Sequence, residues 1–194
     1  IEIDSYVDGN IKNYDSNWED PFWGFKSKIV SPELLLLHSQ TLKTKFDVAT
    51  YAQTQLFDKN GVSKGNFTTS ERNQIISQNK KHYLTKGDSC SILKFGGYIN
   101  GMNYDFNDFE STAFNLVLNA SSKGFNKLAE EHNSSWNKIW EQSDIKIEGD
   151  DKAQQAIRFN IFQLNQTYTG HDARLNVGPK GFTGEKYGGS TYWD

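Results

Sequence analysis

Asn107-Asp108-Phe109-Glu110-Ser111-Thr112-Ala113-Phe114-Asn115-Leu116-Val117-Leu118-Asn119-Ala120 is where the apolar period of this chain changes. Phe109, Ala113, Leu116, Val117 and Ala120 recur at helical spacing, which places them on one face of an α-helix. Asn107 followed three residues later by Glu110 reads as a capping box at its start. Gly124 breaks the run. Beyond it Phe125, Leu128, Ala129, His132, Trp136, Ile139 and Trp140 again share one helical face. After Gly149, either Asp150 or Asp151 can cap a third helix, 151–168, carrying Ala153, Ile157, Ile161, Leu164 and Tyr168. Gly170 closes it.

Upstream of residue 104 the pattern is β. Ile1-Glu2-Ile3-Asp4 alternates, Glu33 to His38 is a short apolar run, and Lys43 to Tyr51 alternates with Phe46, Val48 and Thr50 on one face. Asn60-Gly61 is a hairpin signal, because a type I′ turn needs positive φ at both central residues. Lys81 to Thr85 and Cys90 to Phe95 read as strands flanking Gly87-Asp88. Strands at this spacing, with no helical pattern between them, suggest an antiparallel sandwich. Strands come first and helices second, in blocks, so the fold class is α+β and a doubly wound sheet is excluded.

With 194 residues the chain can bury a core as one large domain or two modest ones. Aromatics at 14% separate it from disordered chains. A net charge of −3 without a basic patch argues against a nucleic-acid partner. The longest apolar run, Leu34 to Leu37, falls far short of the ~20 residues needed to span a bilayer. A single cysteine, Cys90, rules out an internal disulfide framework and fits a reducing cytoplasm.

Familiar catalytic constellations are missing. The sequence holds no HExxH, CxxC, GxSxG, phosphate-binding loop or dinucleotide fingerprint. Its four histidines (His38, His82, His132 and His171) are scattered, so no metal site and no cofactor is expected. His132, on an apolar helical face, reads as a core residue rather than a ligand. The informative stretch is the glycine-rich tail from His171 to Asp194, a long loop of the kind that is often functional. It ends in Trp193-Asp194. An indole face can cover the C–H groups of a sugar while a carboxylate accepts hydrogen bonds from its hydroxyls, although a plain surface loop ending in Trp-Asp stays an open alternative.

Leu175-Asn176-Val177-Gly178-Pro179-Lys180-Gly181-Phe182-Thr183-Gly184-Glu185-Lys186-Tyr187-Gly188-Gly189, running into Tyr192-Trp193-Asp194, resembles glycoside hydrolase family 65, its maltose phosphorylases in particular. The likeness extends upstream through Trp136 to Trp140, Ser143-Asp144, Gly149-Asp150-Asp151, Gln154-Gln155 and Ile157-Arg158-Phe159-Asn160. Weaker echoes are Asp8-Gly9, Asp15-Ser16-Asn17 and Phe22-Trp23; the β half between them is only loosely similar.

The resemblance implies the C-terminal part of an antiparallel β-sandwich over 1–103, a helical linker over 104–142, and over 143–194 the truncated start of an (α/α)6 barrel with its first helix. It also implies an inverting phosphorolysis of maltose to glucose and β-glucose 1-phosphate. Inorganic phosphate would be the co-substrate. Trp193 and Asp194 would be substrate-binding, gripping the non-reducing glucose. Glu185 would not be the acid: the family's general acid and phosphate site would lie beyond Asp194. No catalytic residue is then expected in this chain, which should be inactive alone. The parent would be a cytoplasmic homodimer.

Other readings stay open: a family 65 hydrolase, or a phosphorylase of trehalose, kojibiose or nigerose; a non-catalytic carbohydrate-binding sandwich; and an assembly module presenting Trp136 and Trp140. Residues beyond about 170 are expected to be poorly ordered or held by another copy, since helix 151–168 would lack its partners.

Overall fold

The computed structural model describes residues 1–11, 21–59, 61–62, 67–178 and 191. These divide into two compact units, one up to Leu128 and one from Ala129 onward.

Among the described residues of the first unit, eight strands form two antiparallel sheets. They are β1 (Glu2–Asp8), β2 (Trp23–Val30), β3 (Leu35–Thr41), β4 (Asp47–Asp58), β5 (Gly61–Val62), β6 (Thr68–Arg72), β7 (Ile75–Lys81) and β8 (Cys90–Asn100). The smaller sheet runs β1-β7-β6. In the larger, β2 pairs β3 and β3 pairs β4, while β4 also takes β5 and β8. After β8 a short 3-10 turn leads into α1 (Phe109–Ser143).

The Leu34 to Leu37 run explains how these layers stack. Leu35 and Leu37 pack with Val7, Ala52 and Ile76 between the two sheets. Leu34 and Leu36 pack on the opposite face with Ala49, Ile99, Phe109, Ala113 and Val117 of α1. A strand covered on both faces needs apolar side chains at every position, which is why this one does not alternate. Each leucine so buried contributes about 1.5–3 kcal/mol.

Gln78 and His38 are among the polar side chains buried within this frame. Gln78 is fully buried. Its Oε1 accepts from the Thr54 N–H at 2.9 Å, and its Nε2 donates to the Ser31 and Pro32 carbonyls at 3.0 Å each. Pairing of β3 with β4 stops at Leu35 opposite Ala52, so Gln78 satisfies the next inward N–H of β4 from the other sheet. His38 Nε2–H donates to Asp47 Oδ1 at 2.7 Å, and its ring lies edge-on to Phe109 with centroids 5.2 Å apart.

Several boundaries differ from the sequence reading. The strand expected over Lys43 to Tyr51 starts at Asp47, because the Thr41 hydroxyl accepts from Phe46 N–H and Lys45 takes φ 56° in a turn. Of the strand expected over Lys81 to Thr85, Lys81 alone is in β7, and residues 82–85 are outside any strand. Thr85 instead joins a turn in which Asp88 accepts from its N–H and hydroxyl, while Lys59 Nζ donates to Asp88 at 2.8 Å. The expected cap at Asn107 is supplied two residues earlier: Asp105 accepts from Asn107 N–H at 2.9 Å and opens the 3-10 turn. Gly61 pairs with Asp58 across the β4–β5 hairpin with φ 108°; Asn60 lies outside the described residues. The break at Gly124 is present, with φ 72° and ψ 169°.

The second unit contains the last turns of α1, then α2 (Asp151–Thr167) and residues 168–178 with 191. Asp150 caps α2, accepting from Ala153 N–H at 3.0 Å. Of the apolar face expected on this helix, Ile161 is buried, whereas Leu164 is 71% exposed.

Candidate functional site

Between α1 and α2 the chain is clipped to α2 by side chains one turn apart. Gln154 Oε1 accepts from Ile147 N–H at 2.7 Å and its Nε2 donates to the Ile145 carbonyl at 2.8 Å. Arg158 reaches Asp144 with Nε at 2.8 Å and Nη2 at 2.7 Å, a two-pronged pair. The Arg158 guanidinium holds the Asp144 carboxyl below the ordinary carboxylate value. Residues 144–149 therefore run along the first two turns of α2. Sequence reading had singled out Asp144, Gln154 and Arg158 only through the resemblance. Their pairing at separations of 14 and 9 residues leaves no local periodic signal.

Trp136 rests on Phe162 of α2 with centroids 5.0 Å apart, and Trp140 follows at 5.9 Å. Together with His132, Asn133 and Asn137 they line a shallow hollow of about 290 Å³. His132 is exposed rather than in a core; it faces Trp136 at 6.4 Å.

Beyond α2, Tyr168 N–H closes the helix on Leu164 O, and Gly170 turns the chain with φ 73°. Arg174 doubles back on Asp172, donating from N, Nε and Nη2, which holds the Asp172 carboxyl down to about 2. Asn176 Nδ2 donates to the Thr191 hydroxyl at 3.1 Å, and that hydroxyl donates to the Val177 carbonyl at 2.9 Å. Thr191 thus lies against residues that precede it by 14 and 15 positions. Trp193 and Asp194, the substrate-binding residues expected from sequence, lie outside the described residues, as does Glu185.

Among the described residues no three His, Cys, Asp or Glu side chains are grouped to hold a metal ion, and no helix is long and apolar enough to cross a membrane.

Residues 1–139 match the N-terminal domain of glycosyl hydrolase family 65, and residues 158–194 match that family's central catalytic domain. Over 196 residues and the whole chain, the sequence is 36% identical to a maltose phosphorylase of Bacillus subtilis (strain 168). It is 30% identical over 203 residues to an alpha,alpha-trehalose phosphorylase of Thermoanaerobacter brockii. Among solved structures, a putative kojibiose phosphorylase from the human microbiome superposes on the entire chain with a TM-score of 0.82 at 25% identity. The chain spans 25% and 26% of those two relatives and 24% of that structure, about a quarter of each. A two-sheet sandwich leading into helices, matched from end to end in this way, means that the chain belongs to glycoside hydrolase family 65.

Proposed function

We propose that this chain is part of an inverting disaccharide phosphorylase acting on maltose and inorganic phosphate. The observation that carries the reading is the 36% identity to a maltose phosphorylase across all 194 residues, glycine-rich tail included. The division into a sandwich over 1–103, a linker over 104–142 and the start of an (α/α)6 barrel over 143–194 belongs to the same reading.

In such a reaction a phosphate oxygen forms a bond to the anomeric carbon from the face opposite the glycosidic oxygen. The glycosidic C–O bond breaks as a carboxylic acid protonates the departing oxygen, which leaves on glucose. Attack from the opposite face turns an α-linkage into β-glucose 1-phosphate. Phosphate takes the place that an activated water holds in an inverting hydrolase, so one acid suffices. We assign the acid and the phosphate-binding groups to parts of the whole protein outside these residues, so that the chain alone is inactive.

Trp193 and Asp194 are proposed to hold the non-reducing glucose, the indole covering C–H groups and the carboxylate accepting from hydroxyls. Support comes from their residue types at the end of the matched tail. The reading also carries a homodimeric, cytoplasmic parent.

Assay of the whole protein on maltose, trehalose, kojibiose and nigerose, with and without phosphate, tests this. Phosphate-dependent turnover of maltose, reduced about 100-fold or more in kcat/KM by Asp194→Ala, is the expected result. Release of glucose independent of phosphate would make the parent a hydrolase. No turnover of any of the four would favour a non-catalytic sugar-binding sandwich.

A further inference from the structure

From the end of α2 to Val177 the chain is pinned at short intervals. Tyr168 N–H donates to Leu164 O at 3.1 Å, His171 N–H to the Thr169 hydroxyl at 3.4 Å, and Leu175 N–H to Asp172 O at 3.1 Å. Three donors of Arg174 converge on the Asp172 carboxylate. Asn176 and Val177 thereby take their position from the helix. The Asn176 side chain and the Val177 carbonyl then share one partner, the Thr191 hydroxyl, which accepts from Asn176 Nδ2 at 3.1 Å and donates to Val177 O at 2.9 Å. A hydroxyl can do both at once, because it carries one proton and two lone pairs. A valine side chain, of nearly the same shape, can do neither.

Between Val177 and Thr191 the sequence holds five glycines, Gly178, Gly181, Gly184, Gly188 and Gly189. Glycine sets few limits on φ and ψ, so such a run of residue types is a poor carrier of position along the backbone. The two hydrogen bonds of Thr191 bypass it. Trp193 and Asp194 follow Thr191 by two and three residues, so chain length alone keeps them within about 11 Å of it.

We propose that Thr191 is a positioning residue for sugar binding: its hydroxyl, held between Asn176 and Val177, refers the end of the glycine-rich tail to α2. The inference rests on the proposed reading of Trp193 and Asp194 as the residues that hold the non-reducing glucose, and adds the group on which their placement depends. An indole face and a carboxylate serving one sugar ring must both be in register with it. A displacement of about 1 Å in the backbone before them is enough to weaken both contacts.

The test is steady-state kinetics of the whole protein, with maltose and phosphate varied in turn, for the unaltered protein, Thr191→Val and Thr191→Ser. Valine removes both hydrogen bonds at nearly constant shape, and serine keeps both. Thr191→Val should raise KM for maltose about 10-fold, with kcat and KM for phosphate unmoved, as expected when a contact that holds the bound sugar is lost. Thr191→Ser should stay within about 2-fold of the unaltered protein. Because Thr191 is exposed, Tm should stay within about 2 °C in both variants. An unchanged KM for maltose in Thr191→Val would overturn the inference while leaving the phosphorylase reading intact. So would equal damage from serine and valine, which would point to the methyl group, or a loss of kcat together with a lowered Tm, which would make the role structural. If the unaltered protein turned over none of the four disaccharides, the sugar-binding reading of Trp193 and Asp194 would fall, and this inference with it.

Discussion

In the first unit Leu34 to Leu37 bury four consecutive side chains, Leu35 and Leu37 between the two sheets and Leu34 and Leu36 against α1. In the second, Ile161 is the one buried hydrophobic side chain among the described residues, and the chain before α2 is fastened by Asp144, Gln154 and Arg158. Apolar burial scales with area and is indifferent to pH, whereas polar clips depend on geometry and, where a carboxylate takes part, on protonation. Within one polypeptide the two units should therefore answer differently to the same perturbation.

The largest effect is expected at Leu35, which is fully buried between the sheets. Leu35→Ala should cost the sandwich about 2–5 kcal/mol by chemical denaturation. A loss under about 1 kcal/mol would break the contrast, since the core would then be collapsing freely around the missing side chain.

Gln78→Ala comes next. It strands the Thr54 N–H and the Ser31 and Pro32 carbonyls without their partner, at a cost of about 2–4 kcal/mol in the same measurement. A near-neutral result would mean that water replaces the amide, and that the sandwich is less dry than its burial pattern implies.

The smallest effect belongs to the second unit and shows in pH. The Asp144 carboxyl is held below its ordinary value, so its folded form binds its proton less readily than the unfolded one does. Its contribution is present above the ordinary carboxylate range and is lost as pH falls through the lowered value. Carbon NMR titration should place Asp144 below an unperturbed aspartate, and Arg158→Ala should move it up toward the ordinary carboxylate value. An Asp144 titration unmoved by Arg158→Ala would remove the clip from the account.

Legibility in the sequence followed the same divide. Order of strands and helices, the Gly124 break and a cap at Asp150 or Asp151, which the structure settles as Asp150, could all be read, because each rests on neighbours a few residues apart. Strand ends were misplaced where side chains rather than periodicity terminate them. Asp88 takes Thr85 out of β7, and the Thr41 hydroxyl delays β4 until Asp47. Gln78 and the Asp144–Arg158 pair carry no local signal at all, since their partners are 14 to 47 residues away. Of the glycine-rich tail, the structure adds the closure of Thr191 on Asn176 and Val177. Trp193 and Asp194 stand on residue type and resemblance.

The most direct measurement is proton NMR of maltose and phosphate incubated with the whole protein, because the anomeric signal reports which bond formed and from which face. The account predicts the β-anomer of glucose 1-phosphate accumulating in equal amount with free glucose. Appearance of the α-anomer, or of glucose with no phosphate ester, would contradict it.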